Sequence, residues 1–164
     1  MNKIADLQDT LEYGIAPESA ARAYEWLEAR GRRFGHFIGG KWTDPGLGPG
    51  FQTQAPATGE ALATVAQGTR GDVDAAVRAA RKAQVGWQGL GGSGRSRFLY
   101  AIGRRLQRDA RLFAVLETLD NGKPVRESRD LDIPLVARHF NHHAGWAQLA
   151  ESEFAGYGAV GVVG

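Results

Sequence analysis

Asp120 and Lys123 put a carboxylate and an amine at the tight corner of one stretch, Glu117-Thr118-Leu119-Asp120-Asn121-Gly122-Lys123-Pro124. A carboxylate on such a corner can cap backbone groups or hold a cation. Three imidazoles, His139, His142 and His143, follow at spacings that bring His139 to the same side of a helix as the other two, where a metal site is conceivable. Neither a cysteine nor a well-placed carboxylate completes such a site, so the histidines read as polar residues of a helix rather than as a zinc centre. His36 has no evident partner. The chain contains no cysteine, which removes disulfides, thiolate metal sites and a thiol nucleophile together.

Two glycine patterns invite a phosphate-loop reading. Gly89-Leu90-Gly91-Gly92-Ser93-Gly94 matches G-x-G-x-x-G, yet a helix precedes it, whereas a dinucleotide fingerprint follows a strand. It reads as a flexible linker. Gly156-Tyr157-Gly158-Ala159-Val160-Gly161 matches as well, but its last residues open Val160-Gly161-Val162-Val163, itself the expected strand, and the sequence reaches Gly164 before any helix.

The elements that must position these groups follow from periodicity. Met1 to Tyr13 is mildly amphipathic, Pro17-Glu18 opens a firmer helix carrying Tyr24 and Leu27, and Gly31 ends it. Gly39-Gly40 between Phe37-Ile38 and Lys41-Trp42 signals a two-residue hairpin, because the favoured turns need positive φ. Residues 44–50 read as a loop, Phe51 to Ala55 and Ala61 to Ala66 as antiparallel strands, and Pro56-Ala57-Thr58-Gly59 as the turn between them. Thr69 and Asp72 form a capping-box variant for a helix whose face is Val73, Ala76, Val77, Ala80, Gln84 and Trp87, ending at Gly86 and the glycines beyond. Arg95 to Leu119 is helical, with a break near Arg108 and Asp109 as the cap of its second half. Gly122 closes that helix in the left-handed conformation and Pro124 cannot continue it. Val125 to about Leu149 is the last long helix, kinked or restarted at Pro134.

Composition sets the outer limits. A chain of 164 residues suits one domain, and 43% hydrophobic with 23% charged residues is ordinary for a globular protein. A net charge of +2 does not argue for nucleic acid. The run Arg95, Arg97, Arg104, Arg105, Arg108, Arg111 reads as a solvated helix face beside Asp109 and Glu117. No apolar run approaches a membrane span, the N-terminus lacks a signal-peptide core, and the cytoplasm is the default compartment.

Residues 117–124 resemble a segment near the start of aldehyde dehydrogenases. The resemblance extends, in order, through Phe37-Ile38-Gly39-Gly40-Lys41-Trp42, Pro56-Ala57-Thr58-Gly59-Glu60, Asp72-Val73-Asp74-Ala75-Ala76-Val77, Ala144-Gly145-Trp146-Ala147 and Val160-Gly161-Val162-Val163-Gly164. It covers about residues 36–164 and implies an α/β fold: the N-terminal part of the aldehyde dehydrogenase fold, with a β-hairpin flap, a helical layer and the first strand of a Rossmann-like cofactor domain. Residues 1–35 are then a helical N-terminal arm. Residues 36–164 are the N-terminal portion of the NAD(P)-binding domain, truncated at its first parallel strand. The leader, with Glu12-Tyr13-Gly14-Ile15-Ala16-Pro17-Glu18-Ser19 and Ala23-Tyr24-Glu25-Trp26-Leu27, resembles the long class with two such domains in tandem.

The family oxidises an aldehyde to an acid through a cysteine thiohemiacetal and thioester, passing hydride to NAD or NADP. Its cysteine, glutamate base, asparagine oxyanion donor and cofactor contacts lie beyond the matched region. The resemblance therefore implies no catalytic and no cofactor-binding residue here, and no aldehyde oxidation by these residues alone. One family site does reach this region, a sodium or potassium ion held by strand carbonyls and an aspartate. By position its ligands are Thr53, Gln54 and Asp120; hard cations favour such oxygens. Equally, Asp120 can simply cap the corner, and Ala55 stands where the family usually has asparagine. Gln148 to Ala159 is short where the family inserts an oligomerisation hairpin. The expected partners are the remainder of the chain and a second copy, as a dimer, with neither nucleic acid nor membrane. An interaction module derived from this fold, and a nucleotide-binding protein using a glycine loop, are the other readings.

Overall fold

The computed structural model describes residues 19–44, 46 and 48–163. The helix expected over Met1 to Tyr13 and the Pro17-Glu18 helix start lie outside them. Helix α1 (Ala21–Glu28) buries Ala23 and Leu27. It ends where Gly31 and Arg32 both take positive φ, at 59° and 49°. Arg32 then latches the helix to the sheet: its guanidinium binds Glu28 at 2.8 Å and donates to the carbonyls of Ala61 and Leu62 at 3.3 and 3.2 Å.

The next residues form β1 (Arg33–Phe34), a strand that periodicity did not reveal, because two residues carry no alternation. It pairs in parallel with Thr64 and Val65 of β5 (Ala61–Ala66), and β5 pairs antiparallel with β4 (Gly50–Gln54), giving the order β1-β5-β4. A separate hairpin joins β2 (Phe37–Ile38) and β3 (Lys41–Trp42). Its turn glycines stand at φ 60° and 82°, as the two-residue turn requires.

Helix α2 (Arg70–Gly89) opens on a complete capping box: Asp72 N–H donates to Thr69 Oγ1 and Asp72 accepts from Thr69 N–H. The expected apolar face is present but only partly covered, with Val77 half-buried and Trp87 against Phe98 at 5.6 Å between ring centroids. No residue of α2 is buried, and Val73, Val85 and Trp87 are exposed. The linker reading of Gly89–Gly94 is corrected, since only Leu90 separates α2 from α3 (Gly91–Arg108): Gly89 ends α2, and Gly91, Gly92 and Gly94 lie in the first turn of α3. Packing explains this. A Cβ on Gly92 would lie 2.2 Å from the carbonyl oxygen of Ala147, so glycine is what lets α3 approach α6 (Ile133–Glu153). Gly92, Ser96 and Gly103 face Ala137, Asn141, Ala144 and Ala147 along that seam, where buried Ser96 accepts from Gln148 Nε2 at 2.8 Å.

Helix α4 (Ala110–Asn121) follows the expected break, but Asp109 makes no side-chain cap there. Its carboxylate is drawn instead to Arg105 at 2.7 Å and Arg108 at 3.4 Å. Ala114 and Val115 of α4 lie at the centre of the core with Leu27, Leu62, Ile133 and Ala137. Beyond the corner come a single turn, α5 (Val125–Glu127), and a π-helical turn, Ser128–Asp132. Pro134 sits in the first turn of α6, so the expected kink is a restart through the π turn.

The strand expected at Val160–Val163 is not formed: these residues have no ladder partner among the described residues, and Val160 and Val163 are fully exposed. A strand exists only through its partners, and a lone one has none. No helix of the described residues is long and apolar enough to cross a membrane.

Candidate functional site: the corner at Gly122

The corner is built as its residue types require. Gly122 stands at φ 77°, ψ 8° and donates its N–H to Thr118 O at 3.0 Å, closing α4. Asn121 Oδ1 accepts from Lys123 N–H at 2.8 Å, while Asn121 Nδ2 donates to Glu117 at 2.6 Å. Pro124, at φ −55° and ψ 133°, leaves the helix and accepts from Glu127 N–H at 2.9 Å.

This corner docks on the β4–β5 turn through two contacts. A Cβ on Gly122 would stand 3.0 Å from Pro56 Cβ, so the backbone of one motif lies against the ring of the other. Beside it, Thr53 Oγ1 donates to Asp120 Oδ1. Of the residues expected to share a cation, the structure thus joins Thr53 and Asp120. Gln54 is adjacent across a β-bulge between Thr53 and Gln54, and its side chain is exposed. Thr53, Glu117 and Asp120 border a cavity of about 310 Å³ whose remaining lining, Trp26, Leu27 and Phe34 among it, is apolar.

Lys123 turns the other way. Its Nζ lies 2.5 Å from Asp132 Oδ2, spanning the π turn. That hydrogen bond, helped by the charges of Asp132, Glu117 and Glu127, raises the lysine pKa above its ordinary 10.5. The amine stays protonated at neutral pH, which disqualifies it as nucleophile or base. Thr118 Oγ1 donates to the wholly buried Ser128 Oγ at 3.1 Å, tying α4 to the same turn. The corner is a junction, and it holds no activated nucleophile.

The other candidate groups resolve as follows. His139 and His143 lie with ring centroids 6.5 Å apart, and His142 and His143 at 5.2 Å. No group of three or more ligating side chains among the described residues could hold a metal. His36 lies 3.9 Å from Asp72. The first glycine loop is no phosphate cradle: Gly92 N–H already donates to Glu151 Oε1 at 2.9 Å, and Arg95 lies 3.3 Å from the same oxygen. Sequence reasoning missed Glu151, which lies 59 residues from Gly92 and carries no local signal. In the basic run, Arg95, Arg105 and Arg108 all have acid partners, as a solvated helix face should.

Comparison with known proteins places this architecture. The model of the aldehyde dehydrogenase family matches residues 42–161. The chain is 43% identical over 112 residues to the putative aldehyde dehydrogenase DhaS of Bacillus subtilis, covering 67% of this chain and 23% of that protein. HpcC of Thermus thermophilus superposes with a TM-score of 0.72 at 31% identity, over 79% of this chain and 25% of that one. The NAD+ complex of an aldehyde dehydrogenase from Bacillus cereus does so with a TM-score of 0.70 at 30% identity, over 83% and 27%. The chain thus spans about a quarter of the length of the curated relatives it matches. The motifs that carry the sequence resemblance are those that build the hairpin, the β4–β5 turn, the capping box and the corner, and the family match, which starts at the last residue of the hairpin, runs through the other three: the chain belongs to the aldehyde dehydrogenase family.

Proposed function

We propose that these residues are the N-terminal segment of an NAD(P)-dependent aldehyde dehydrogenase that oxidises an aldehyde to a carboxylic acid. In this reading they scaffold the cofactor domain. The continuous family match across residues 42–161 carries it, and the NAD+ complex of the Bacillus cereus relative supports NAD as the cofactor of the whole enzyme, with NADP the alternative. The chain has no thiol for the covalent step, and the glycine-rich start of α3 is filled by Glu151, so in this reading the nucleophile and the dinucleotide contacts belong to other residues. Residues 1–35 act as an arm, and residues 36–164 as the front of the NAD(P)-binding domain. The whole protein works in the cytoplasm as a homo-oligomer, a dimer. The purified 164-residue chain, given an aldehyde and NAD+ or NADP+, should form no reduced dinucleotide. Formation of NADH or NADPH dependent on the aldehyde would overturn the scaffold reading.

In this reading sodium or potassium is held by the strand carbonyls of Thr53 and Gln54 and by the Asp120 carboxylate. The Thr53–Asp120 contact supports this, because it brings that strand against the carboxylate. Thermal unfolding in sodium or potassium chloride, against tetramethylammonium chloride at equal ionic strength, should show a rise in Tm that Asp120→Ala removes. An equal Tm in all three salts would refute it.

The largely exposed face of α2, with exposed Phe37 and Trp42 on the hairpin, favours a second reading, a non-catalytic interaction module of this fold. A cooperative melt with a single defined mass in solution would favour the module; aggregation of the isolated chain would favour the scaffold segment.

A further inference from the structure

Helix α6 packs one face on α3 through Ala137, Asn141, Ala144 and Ala147, so His139 and His143 stand on its outer surface. They are one helical turn apart, with ring planes inclined by only 17° and centroids 6.5 Å apart. His142 meets His143 edge-on at 5.2 Å, and Trp146 lies 6.3 Å from His142. All three imidazoles are exposed, and among the described residues none takes a hydrogen bond or a carboxylate partner. Their ring nitrogens are therefore uncommitted.

Side chains at i and i+4 share a helix face, and two imidazoles there can converge on one borderline divalent ion. A closed centre is ruled out among the described residues, since no three ligating side chains, the nearby His142 included, are placed to hold one ion together. An open chelate asks for less: two imidazole nitrogens at about 2.0–2.1 Å, with water filling the remaining positions. Neutral imidazole selects zinc, nickel or copper, while magnesium and calcium want oxygens that this face lacks. We propose that His139 and His143 form a bidentate site for a borderline divalent transition ion on the outer face of α6. The ion crosslinks one turn of a helix whose opposite face is the main packing surface of α3.

Isothermal titration of the full chain with zinc chloride tests this directly, with magnesium chloride as the comparison. Zinc should bind with a stoichiometry of one and raise the Tm, and magnesium should do neither. His139→Ala and His143→Ala should each weaken zinc binding roughly 100-fold, because the second ligand then no longer acts intramolecularly. His142→Ala should leave the affinity within a few-fold. All three substitutions lie on an exposed helix surface, and circular dichroism verifies that each variant is folded. Quenching of Trp146 fluorescence by copper(II), lost in Trp146→Phe, locates the ion on this face. Absence of zinc binding, or binding equally strong in the His139→Ala and His143→Ala variants, would overturn the proposal. Dependence on His142 in place of His143 would overturn the assignment of the pair.

Discussion

Replacing Gly122 by alanine tests the corner most sharply, because the structure gives two separate reasons for glycine there. The first is conformational: at φ 77° an L-residue with a Cβ is strained, at about 1–2 kcal/mol. The second is contact: the new methyl would stand 3.0 Å from Pro56 Cβ and 3.3 Å from its Cγ, tighter than ordinary packing. The proline ring is part of the β4–β5 turn and can yield only by moving it, which adds about 1 kcal/mol at the low end of overpacking costs. Gly122→Ala should therefore lose about 2–3 kcal/mol, or roughly 4–12 °C in Tm for a chain of this size. Gly59→Ala is the control. Its φ is 75°, nearly the same, but nothing lies within 4 Å of a Cβ there. It should lose only the conformational part, and the unfolded-state entropy that alanine removes is common to both variants and cancels. Urea denaturation followed by tryptophan fluorescence, at constant slope, gives the difference. Equal losses would refute the docking of Gly122 on Pro56. Negligible losses in both would refute the left-handed requirement itself.

The helix glycines predict opposite signs. Gly92→Ala should destabilise by about 1–3 kcal/mol, because its methyl meets the Ala147 carbonyl at 2.2 Å, although alanine is the better helix former. Gly86→Ala, inside α2 with nothing within 4 Å, should stabilise by about 0.5–1 kcal/mol; urea midpoints of the two variants decide it. Acid should release the α2 cap late. Asp72 is held below its ordinary 3.8 by hydrogen bonds from the Thr69 hydroxyl and backbone, so its stabilisation is complete above 3.8 and vanishes as pH falls through the lowered value. The Tm gap between the protein and Asp72→Asn should close only there. Lys123 has the opposite sign: its pKa is raised, chiefly by Asp132, so its contribution is complete below 10.5 and is lost as pH rises through the higher folded value. The gap to Lys123→Met should therefore persist at neutral pH and close only in strong alkali.

What the sequence made legible was local. The hairpin, the capping box and the closure at Gly122 each need a few residues in fixed order, and each stands where that order put it. Most of the failures come from contacts between distant residues, and the one at Asp109 from a competing local ion pair. Gly89–Gly94 has the composition of a linker, and only the backbone of α6 across from Gly92 shows why those glycines are helical. Asp109 has the right type for a cap, but Arg105 and Arg108 hold its carboxylate. Glu151 serves a helix start that lies far back along the chain. Strand β1 is two residues long and is defined entirely by Thr64 and Val65. Within the candidate site, the resemblance implied a shared role for Thr53 and Asp120, which the structure joins by a hydrogen bond, but it could not show that Gly122 and Pro56 lock the same junction.

That junction leads to a statement about coupling. Sheet and helical layer meet at two adjacent points, Thr53 on Asp120 and Pro56 on Gly122, and each pair has one member on each layer. If the layers part as units, loosening one contact already forfeits much of the other. Thr53→Val alone should lose about 0.5–1.5 kcal/mol, the ordinary net worth of a hydrogen bond whose acceptor can still reach water. Combined with Gly122→Ala, the total should fall short of the two separate losses by more than about 0.5 kcal/mol, the margin within which independent sites add. A double-mutant cycle on urea midpoints reads this directly. Strict additivity would mean that the corner and the turn merely touch at two independent points, and a cation at Thr53 and Asp120 would then stabilise its own ligands without tightening the joint.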